Sequence, residues 1–198
     1  KKDISHIVVM GMGEPLLNLP ELRKALAILT DTEGLGLSKR RITLSTSGIV
    51  QGIRDLADAG PDGRLALSLT TGDAELRERL MPVTRTNPLP QVKEALGYYQ
   101  RKRERRITLE AVLLGGVNTR EKDINALVQF ARGLDVVVNL IPWNPVEGMA
   151  LETKPLQEPS GAELERFARG LEERGLKVTR RVRRGHRIAG ACGQLSGV

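Results

Sequence analysis

The sequence is poor in several residue types, and each scarcity excludes something. Cys192 is the only cysteine among 198 residues, so the chain can form no internal disulfide and fits a reducing, cytoplasmic compartment. Aromatic residues make up 3% of the chain, so we expect a core built mainly from Leu, Ile, Val and Ala. His6 and His186 have no metal-ligand spacing. We therefore expect no metal ligand in this chain. No apolar run is long enough to span a bilayer, so we also expect no membrane partner.

Positive charge is abundant, by contrast, and it is clustered. The chain has 31 Lys and Arg against 24 Asp and Glu, which gives a net charge of +7. Three segments concentrate the basic residues: 39–41, 101–106 and 180–187. Clusters of this kind can neutralise phosphates, which makes nucleic acid a reasonable partner. A solubilising surface on a basic protein explains the composition equally well, so both interpretations stay open.

Hydrophobic patterning predicts alternating strands and helices. Short apolar runs predict strands at residues 6–10, 42–44, 65–69, 107–114, 136–141 and 176–182. Helical spacing predicts helices near residues 22–29, 49–57, 73–80, 92–99, 124–131 and 164–171, and residues 145–159 are predicted to be a loop. This alternation indicates a parallel α/β domain, and strands that are almost continuously apolar are typical of a sheet covered on both faces. We expect one domain, a partial (β/α) barrel rather than a doubly wound sheet.

The polar and glycine-rich residues follow the predicted strands. In parallel α/β folds ligands bind beyond the carboxyl ends of the strands, and these segments together predict a cleft for a small polar molecule. Gly13 would let the backbone approach the ligand, and Glu14 would offer an anion to an ammonium group. Ser45, Ser68 and Asn144 would supply hydrogen bonds, although each segment taken alone could be an ordinary turn or helix cap.

Four segments carry a resemblance to a known family: residues 10–18 (MGMGEPLLN), 44–48 (LSTSG), 139–145 (NLIPWNP) and 191–195 (ACGQL). In order and spacing they resemble the RlmN/Cfr family of radical S-adenosylmethionine (SAM) methyltransferases. The resemblance implies a partial barrel of the radical SAM type over residues 1–198, truncated at the N-terminus and lacking the first β/α unit with its cluster-binding loop. The SAM contacts implied are Gly13, Glu14, Ser45, Ser68, Leu69, Thr70 and Asn144.

The resemblance also implies a reaction. Cys192 would receive a methyl group from one SAM, and a second SAM, cleaved at a [4Fe-4S] cluster, would allow this carbon to be added to carbon 2 of adenine in 23S rRNA and tRNA. With one cysteine the chain cannot hold the cluster, so the cluster ligands would lie outside it, and the fragment alone is expected to be inactive. The protein is expected to be a cytoplasmic monomer.

Three other interpretations of the function stay open at this point. A Cfr-type enzyme would methylate carbon 8 of adenine, and an inactive paralogue would bind RNA without methylating it. The family usually has Leu-His-Ala-Pro at residues 69–72 and acidic residues at His186 and Arg187, and together with Gly190 these departures favour a divergent paralogue. An unrelated barrel aldolase or isomerase would need a lysine or a carboxylate pair at the strand ends, and Glu110 is the only carboxylate within a predicted strand.

Overall fold

The computed structural model describes residues 4–11, 13–146 and 148–180. Its main sheet has six parallel strands: β1 Ile7–Val9, β2 Ile42–Thr46, β3 Arg64–Ser68, β4 Ile107–Leu113, β5 Val136–Pro142 and β8 Lys177–Arg180. The helices between them are α1 Leu19–Thr30, α2 Val50–Ala59, α3 Ala74–Leu80, α4 Leu89–Arg103, α5 Glu121–Ala131 and α6 Gly161–Glu173. Two short strands, β6 Ala150–Leu151 and β7 Lys154–Pro155, form an antiparallel hairpin inside the segment predicted to be a loop.

The order of the strands decides between a barrel and a doubly wound sheet. The strands lie side by side in chain order, β1-β2-β3-β4-β5-β8, with no reversal. Crossovers between parallel strands are almost always right-handed, so a sheet that grows in one direction carries its helices on one face. Such a sheet curls into a partial barrel. The predicted α/β partial barrel is therefore confirmed.

Burial alternates along β2 and β4, so these two strands depart from the expectation that both faces are covered, whereas three successive residues of β3 are buried. In β4, Ile107, Leu109 and Leu113 are fully buried, whereas Thr108 and Glu110 are only partly buried. The buried side chains pack with residues of the crossover helices in one hydrophobic cluster. Because successive side chains point to opposite faces of a strand, the other face forms the inner wall of the barrel. That inner wall carries Ser, Thr and Glu side chains that a core could not accept unpaired.

The core and the helix ends follow the sequence closely. Leu, Ile, Val and Ala dominate the core, with Tyr99, Phe130 and Phe167 as its aromatic members, as the composition predicts. A capping box starts α6, as the spacing of Ser160 and Glu163 favours: Ser160 Oγ accepts a hydrogen bond from the Glu163 amide, and Glu163 accepts one from the Ser160 amide. None of the described helices is long and apolar enough to cross a membrane.

Candidate functional site

A cavity of about 610 Å³ opens at the carboxyl ends of the parallel strands, an edge that we call the carboxyl rim. Its size is in the range of small-molecule sites. Residues after β1, β2 and β5 and residues on β2, β3, β4 and β5 line it, and the hairpin segment contributes Met149. The polar side chains in this lining are Glu14, Ser45, Thr46, Ser47, Ser68, Glu110, Trp143 and Asn144.

Glu14 is fixed in place by neutral donors. One of its carboxylate oxygens accepts hydrogen bonds from the Ser47 amide and the Ser47 hydroxyl, both at 2.7 Å. The other oxygen accepts from the Leu16 amide at 3.1 Å, which caps the short helix Pro15–Asn18. These donors orient the carboxylate without cancelling its charge, and a carboxylate has about four lone-pair sites. Glu14 can therefore still accept a hydrogen bond from a cation in the cavity.

The backbone beside the cavity has a conformation at Gly13 that favours glycine. Its φ is +115°, a conformation that residues with a side chain rarely adopt. A Cβ atom at this position would meet no atom of the described residues within 4 Å, its chain neighbours aside. The backbone next to Glu14 thus leaves its surface open to a ligand.

The inner wall below this loop is polar. Ser45 on β2 and Ser68 on β3 both line the cavity, with their hydroxyl oxygens 3.5 Å apart. Ser68 stands beside Glu110 of β4 in the register of the sheet, and Glu110 also lines the cavity. Glu110 was not among the residues predicted to form the site, although a polar residue in the alternation of β4 is a signal from which it could have been predicted.

The segment after β5 forms the opposite wall. Trp143 and Asn144 line the cavity, and the Trp143 amide donates to the Leu113 carbonyl at the end of β4. Trp143 and Met149 also line a second cavity of about 440 Å³ against the hairpin. An ion pair of 2.7 Å joins Arg79 of α3 to Glu152 in the hairpin turn. The mouth of the site is therefore bounded by residues 145–159, the segment that was predicted to be a loop.

Leu69 and Thr70 stand apart from the other predicted SAM contacts, because neither lines the cavity. The Leu69 side chain is fully buried in the core, and both residues donate their amides to the Glu110 carbonyl. Thr70 has a φ of +63°, unusual for a β-branched residue, and its carbonyl accepts from the Asn118 side chain. The structure thus brings Gly13, Glu14, Ser45, Ser68 and Asn144 together around one cavity and places residues 69–70 behind its wall.

Several predicted residues lie outside the described part of the chain. They include the proposed methyl carrier Cys192, together with His186, Arg187 and Gly190. Of the basic segment 180–187 only Arg180 is described, and it pairs with Glu165 at 2.6 Å. The exposed Glu165 carboxylate has a lowered pKa because Arg180 donates hydrogen bonds to it.

The other two basic segments lie at the opposite end of the sheet. Residues 39–41 come immediately before β2, and residues 101–106 come immediately before β4. Both segments therefore lie at the amino ends of the strands, an edge that we call the amino rim. Several of these cations pair with aspartates, as Arg106 does with Asp135 at 2.8 Å and Lys39 with Asp62 at 3.2 Å. These basic segments are therefore separated from the cavity by the length of the strands.

The residues present do not fit an iron–sulfur cluster. Within residues 4–11, 13–146 and 148–180 no group of three or more His, Cys, Asp or Glu could hold a metal ion. The whole sequence has one cysteine, whereas a [4Fe-4S] cluster is held by several thiolates.

The fold and the cavity at the carboxyl rim agree with the comparison to known families. Residues 1–131 match the family model of the Radical SAM superfamily, and the chain belongs to this superfamily. More particularly, it is similar to proteins named as dual-specificity RNA methyltransferases RlmN. It is 50% identical over 192 residues to a probable one from Treponema denticola, a match that covers 97% of this chain and 54% of that protein. With one from Rhodospirillum rubrum it shares 44% identity over 196 residues, or 98% of this chain and 44% of that protein.

Solved structures show the same relationship. A radical SAM methyltransferase from Sphaerobacter thermophilus superposes with a TM-score of 0.90 at 39% identity, covering 96% of this chain and 55% of that one. A domain of a pyruvate-formate lyase-activating enzyme from Bacteroides vulgatus shares the fold at 18% identity, with a TM-score of 0.64 and coverage of 90% and 100%. The resemblance drawn from the four segments is confirmed, and the chain spans about half the length of the curated relatives it matches.

Proposed function

We propose that this chain forms the SAM-binding core of an RNA methyltransferase that acts on carbon 2 of adenine in 23S rRNA and tRNA. The observation that carries the proposal is the meeting of Gly13, Glu14, Ser45, Ser68 and Asn144 around one cavity at the carboxyl rim. These five residues come from four different strand ends, and the similarity to the RlmN proteins supports the RNA substrate. The proposed protein is a cytoplasmic monomer.

The cavity offers SAM a complementary set of groups. Glu14 would accept hydrogen bonds from the methionine ammonium group, beside the open backbone of Gly13. Ser45, Ser68 and Asn144 would bond to the polar groups along the rest of the molecule. Leu69 and Thr70 would act indirectly, by fixing the end of β3 through the Glu110 carbonyl.

Cys192 is the proposed methyl carrier. Its thiolate would attack the methyl carbon of SAM, forming a sulfur–carbon bond as the bond to the SAM sulfonium breaks and S-adenosylhomocysteine leaves; the thiol proton goes to solvent. A carrier is needed because an adenine ring carbon is a poor nucleophile and cannot take the methyl group directly. The [4Fe-4S] cluster that the family implies would have its ligands outside these 198 residues, so the present chain supports no step through it.

Analysis of modified nucleosides tests the proposal. The 23S rRNA and tRNA of cells that express the full-length protein should contain 2-methyladenosine that is missing in cells without it, and peptide mass spectrometry should find Cys192 methylated. Cys192→Ala should bind SAM and RNA yet make no methylated adenine. A product of 8-methyladenosine would establish the Cfr-type reaction instead, no product from the wild-type protein would favour an inactive RNA-binding paralogue, and full activity in Cys192→Ala would overturn the carrier mechanism.

A further inference from the structure

Arg77 on α3 is a charged residue in the interior of the protein. Its side chain has no exposed surface, and burial lowers the pKa of its guanidinium to about 10. No acidic residue in the described part of the chain forms a salt bridge with it. All of its hydrogen-bond acceptors are neutral: the carbonyls of Ser47, Ser68 and Leu69 and the hydroxyl of Thr84.

Two of these acceptors belong to residues of the cavity wall. The Nη2 atom donates to the Ser47 carbonyl at 2.6 Å and to the Ser68 carbonyl at 3.2 Å, and Ser47 and Ser68 both line the cavity. The remaining bonds run from Nε to the Leu69 carbonyl at 3.1 Å and from Nη1 to the Thr84 hydroxyl at 2.7 Å, and neither Leu69 nor Thr84 lines the cavity. The planar group thus joins the ends of β2 and β3 from behind.

Ser47 connects this cation to the carboxylate on the other side. Its carbonyl accepts from Arg77, while its amide and hydroxyl donate to Glu14. The next residue, Gly48, lets the chain pass close to the guanidinium, because a Cβ there would lie 3.2 Å from Leu67 and 3.5 Å from Arg77 Nη2. Glu14 and Arg77 are therefore an anion and a cation that hold the same residue from opposite sides.

We propose that Arg77 is a positioning residue of this site, which sets the orientation of Glu14 through Ser47 and couples the ends of β1, β2 and β3. The inference rests on the proposed use of the cavity for SAM. Burying a charge without an opposite charge beside it costs free energy, so stability alone does not account for a guanidinium here. Its fork of five donors in one plane can join several carbonyls at once, which the single nitrogen of lysine cannot do in the same geometry.

The test compares two ligands that differ at the end near Glu14. SAM has the amino-acid moiety, and 5′-methylthioadenosine lacks it, so a change in the orientation of Glu14 should affect only SAM. In the full-length protein with its cluster, Arg77→Lys should weaken SAM binding by about tenfold and leave the binding of methylthioadenosine within about twofold. Combining Arg77→Lys with Glu14→Gln should weaken SAM binding no further than Glu14→Gln alone, because coupled residues give non-additive effects.

A purely structural role predicts different results. Equal loss of both ligands, or additive losses in the double variant, would overturn the inference. Should Arg77→Lys fail to fold, Thr84→Val removes the Nη1 acceptor; Thr84 does not itself line the cavity, although its hydroxyl donates to the carbonyl of the lining residue Met81. This variant should shift the ratio of the two affinities in the same direction by about threefold, and an unchanged ratio contradicts the inference. Failure of the wild-type protein to bind SAM would overturn the proposed function and this inference with it, whereas wild-type binding with an unchanged ratio in the variants overturns only the inference.

Discussion

Several charged residues differ in their partners between the two rims of the barrel, although the ion pair Arg79–Glu152 also lies at the carboxyl rim. At the carboxyl rim Glu14, Arg77 and Glu163 are held by neutral partners, namely amides, carbonyls and hydroxyls. At the amino rim Lys39, Lys102, Arg103 and Arg106 are paired with aspartates. Neutral hydrogen-bond partners orient a charged group without cancelling its charge, so the charge at the carboxyl rim can still act on a ligand. The amino-rim pairs are largely or partly exposed, and exposed pairs are worth only about 0–1 kcal/mol each.

Close packing in a loop at the carboxyl rim gives the largest expected effect. In the loop after β3, a Cβ on Gly72 would lie 2.3 Å from the Ala126 carbonyl oxygen of α5, so Gly72→Ala should destabilise the fold by about 3 kcal/mol. Gly97→Ala in the second half of α4 is the matched control. There the nearest atom is 3.4 Å away on the flexible Arg101 side chain, and alanine should stabilise the helix by up to about 1 kcal/mol. Denaturant unfolding should show that the free energy of unfolding falls in Gly72→Ala and rises in Gly97→Ala. Equal changes in the two variants would show that Gly72 is not more tightly packed than Gly97.

The next effect concerns ligand binding at the carboxyl rim. Glu14→Ala in the full-length protein should weaken SAM binding by about 10- to 100-fold, since it removes a charged acceptor and leaves the Ser47 and Leu16 amides without their partner. Glu94→Ala on α4 makes the same change of charge in an exposed pair with Arg54 and should leave SAM binding unchanged. Calorimetry measures both affinities, and an unchanged affinity in Glu14→Ala would exclude Glu14 from the site.

A smaller effect is expected from the amino rim. Arg101→Glu combined with Arg105→Glu should weaken RNA binding by a few-fold at low salt and reduce the salt slope by about two, since each contact with a phosphate contributes about one. The methylation rate at saturating RNA should not change, because the basic segment 101–106 lies at the opposite end of the strands from the cavity. Lys24→Glu with Arg169→Glu makes the same change of charge on other helices and serves as the control. If neither the RNA affinity nor its salt slope changes, the basic segment 101–106 is a solubilising surface.

The smallest expected effect is a dependence on pH at the carboxyl rim. Hydrogen bonds from the Thr119 hydroxyl, the Ser160 amide, the Gly116 amide and the Ser160 hydroxyl lower the pKa of Glu163 to about 2 from 4.5. A lowered pKa gives stability that is present above pH 4.5 and is lost as the pH falls from 4.5 towards 2. Glu163→Gln should lose less stability across this window than the wild-type protein, and Thr119→Val, which keeps the carboxylate but removes its first donor, should fall between them. Identical acid unfolding curves for all three would show that Glu163 does not contribute.

Most of the fold and part of the site could be predicted from the sequence. All six strands of the sheet and the helices between them follow from hydrophobic spacing, because one face of each strand and one stripe of each helix must be buried. The position of the basic segments was also implicit, since residues 39–41 and 101–106 come immediately before strands. The hairpin within residues 145–159 was missed, because β6 and β7 have two residues each and so short a strand leaves no period to detect.

The sequence by itself determined the order of the elements and, through it, which residues meet at the carboxyl rim. Gly13, Ser45, Ser68 and Asn144 lie there because each follows a parallel strand or lies in its last two residues, which is a local property. Only the tertiary structure decided that Glu14 binds Ser47, 33 residues away, and that Arg77 reaches the same residue from 30 residues away on the other side. In a short helix an arginine is expected to face solvent, and its burial depends on three carbonyls and a hydroxyl that come together only when the strands are side by side.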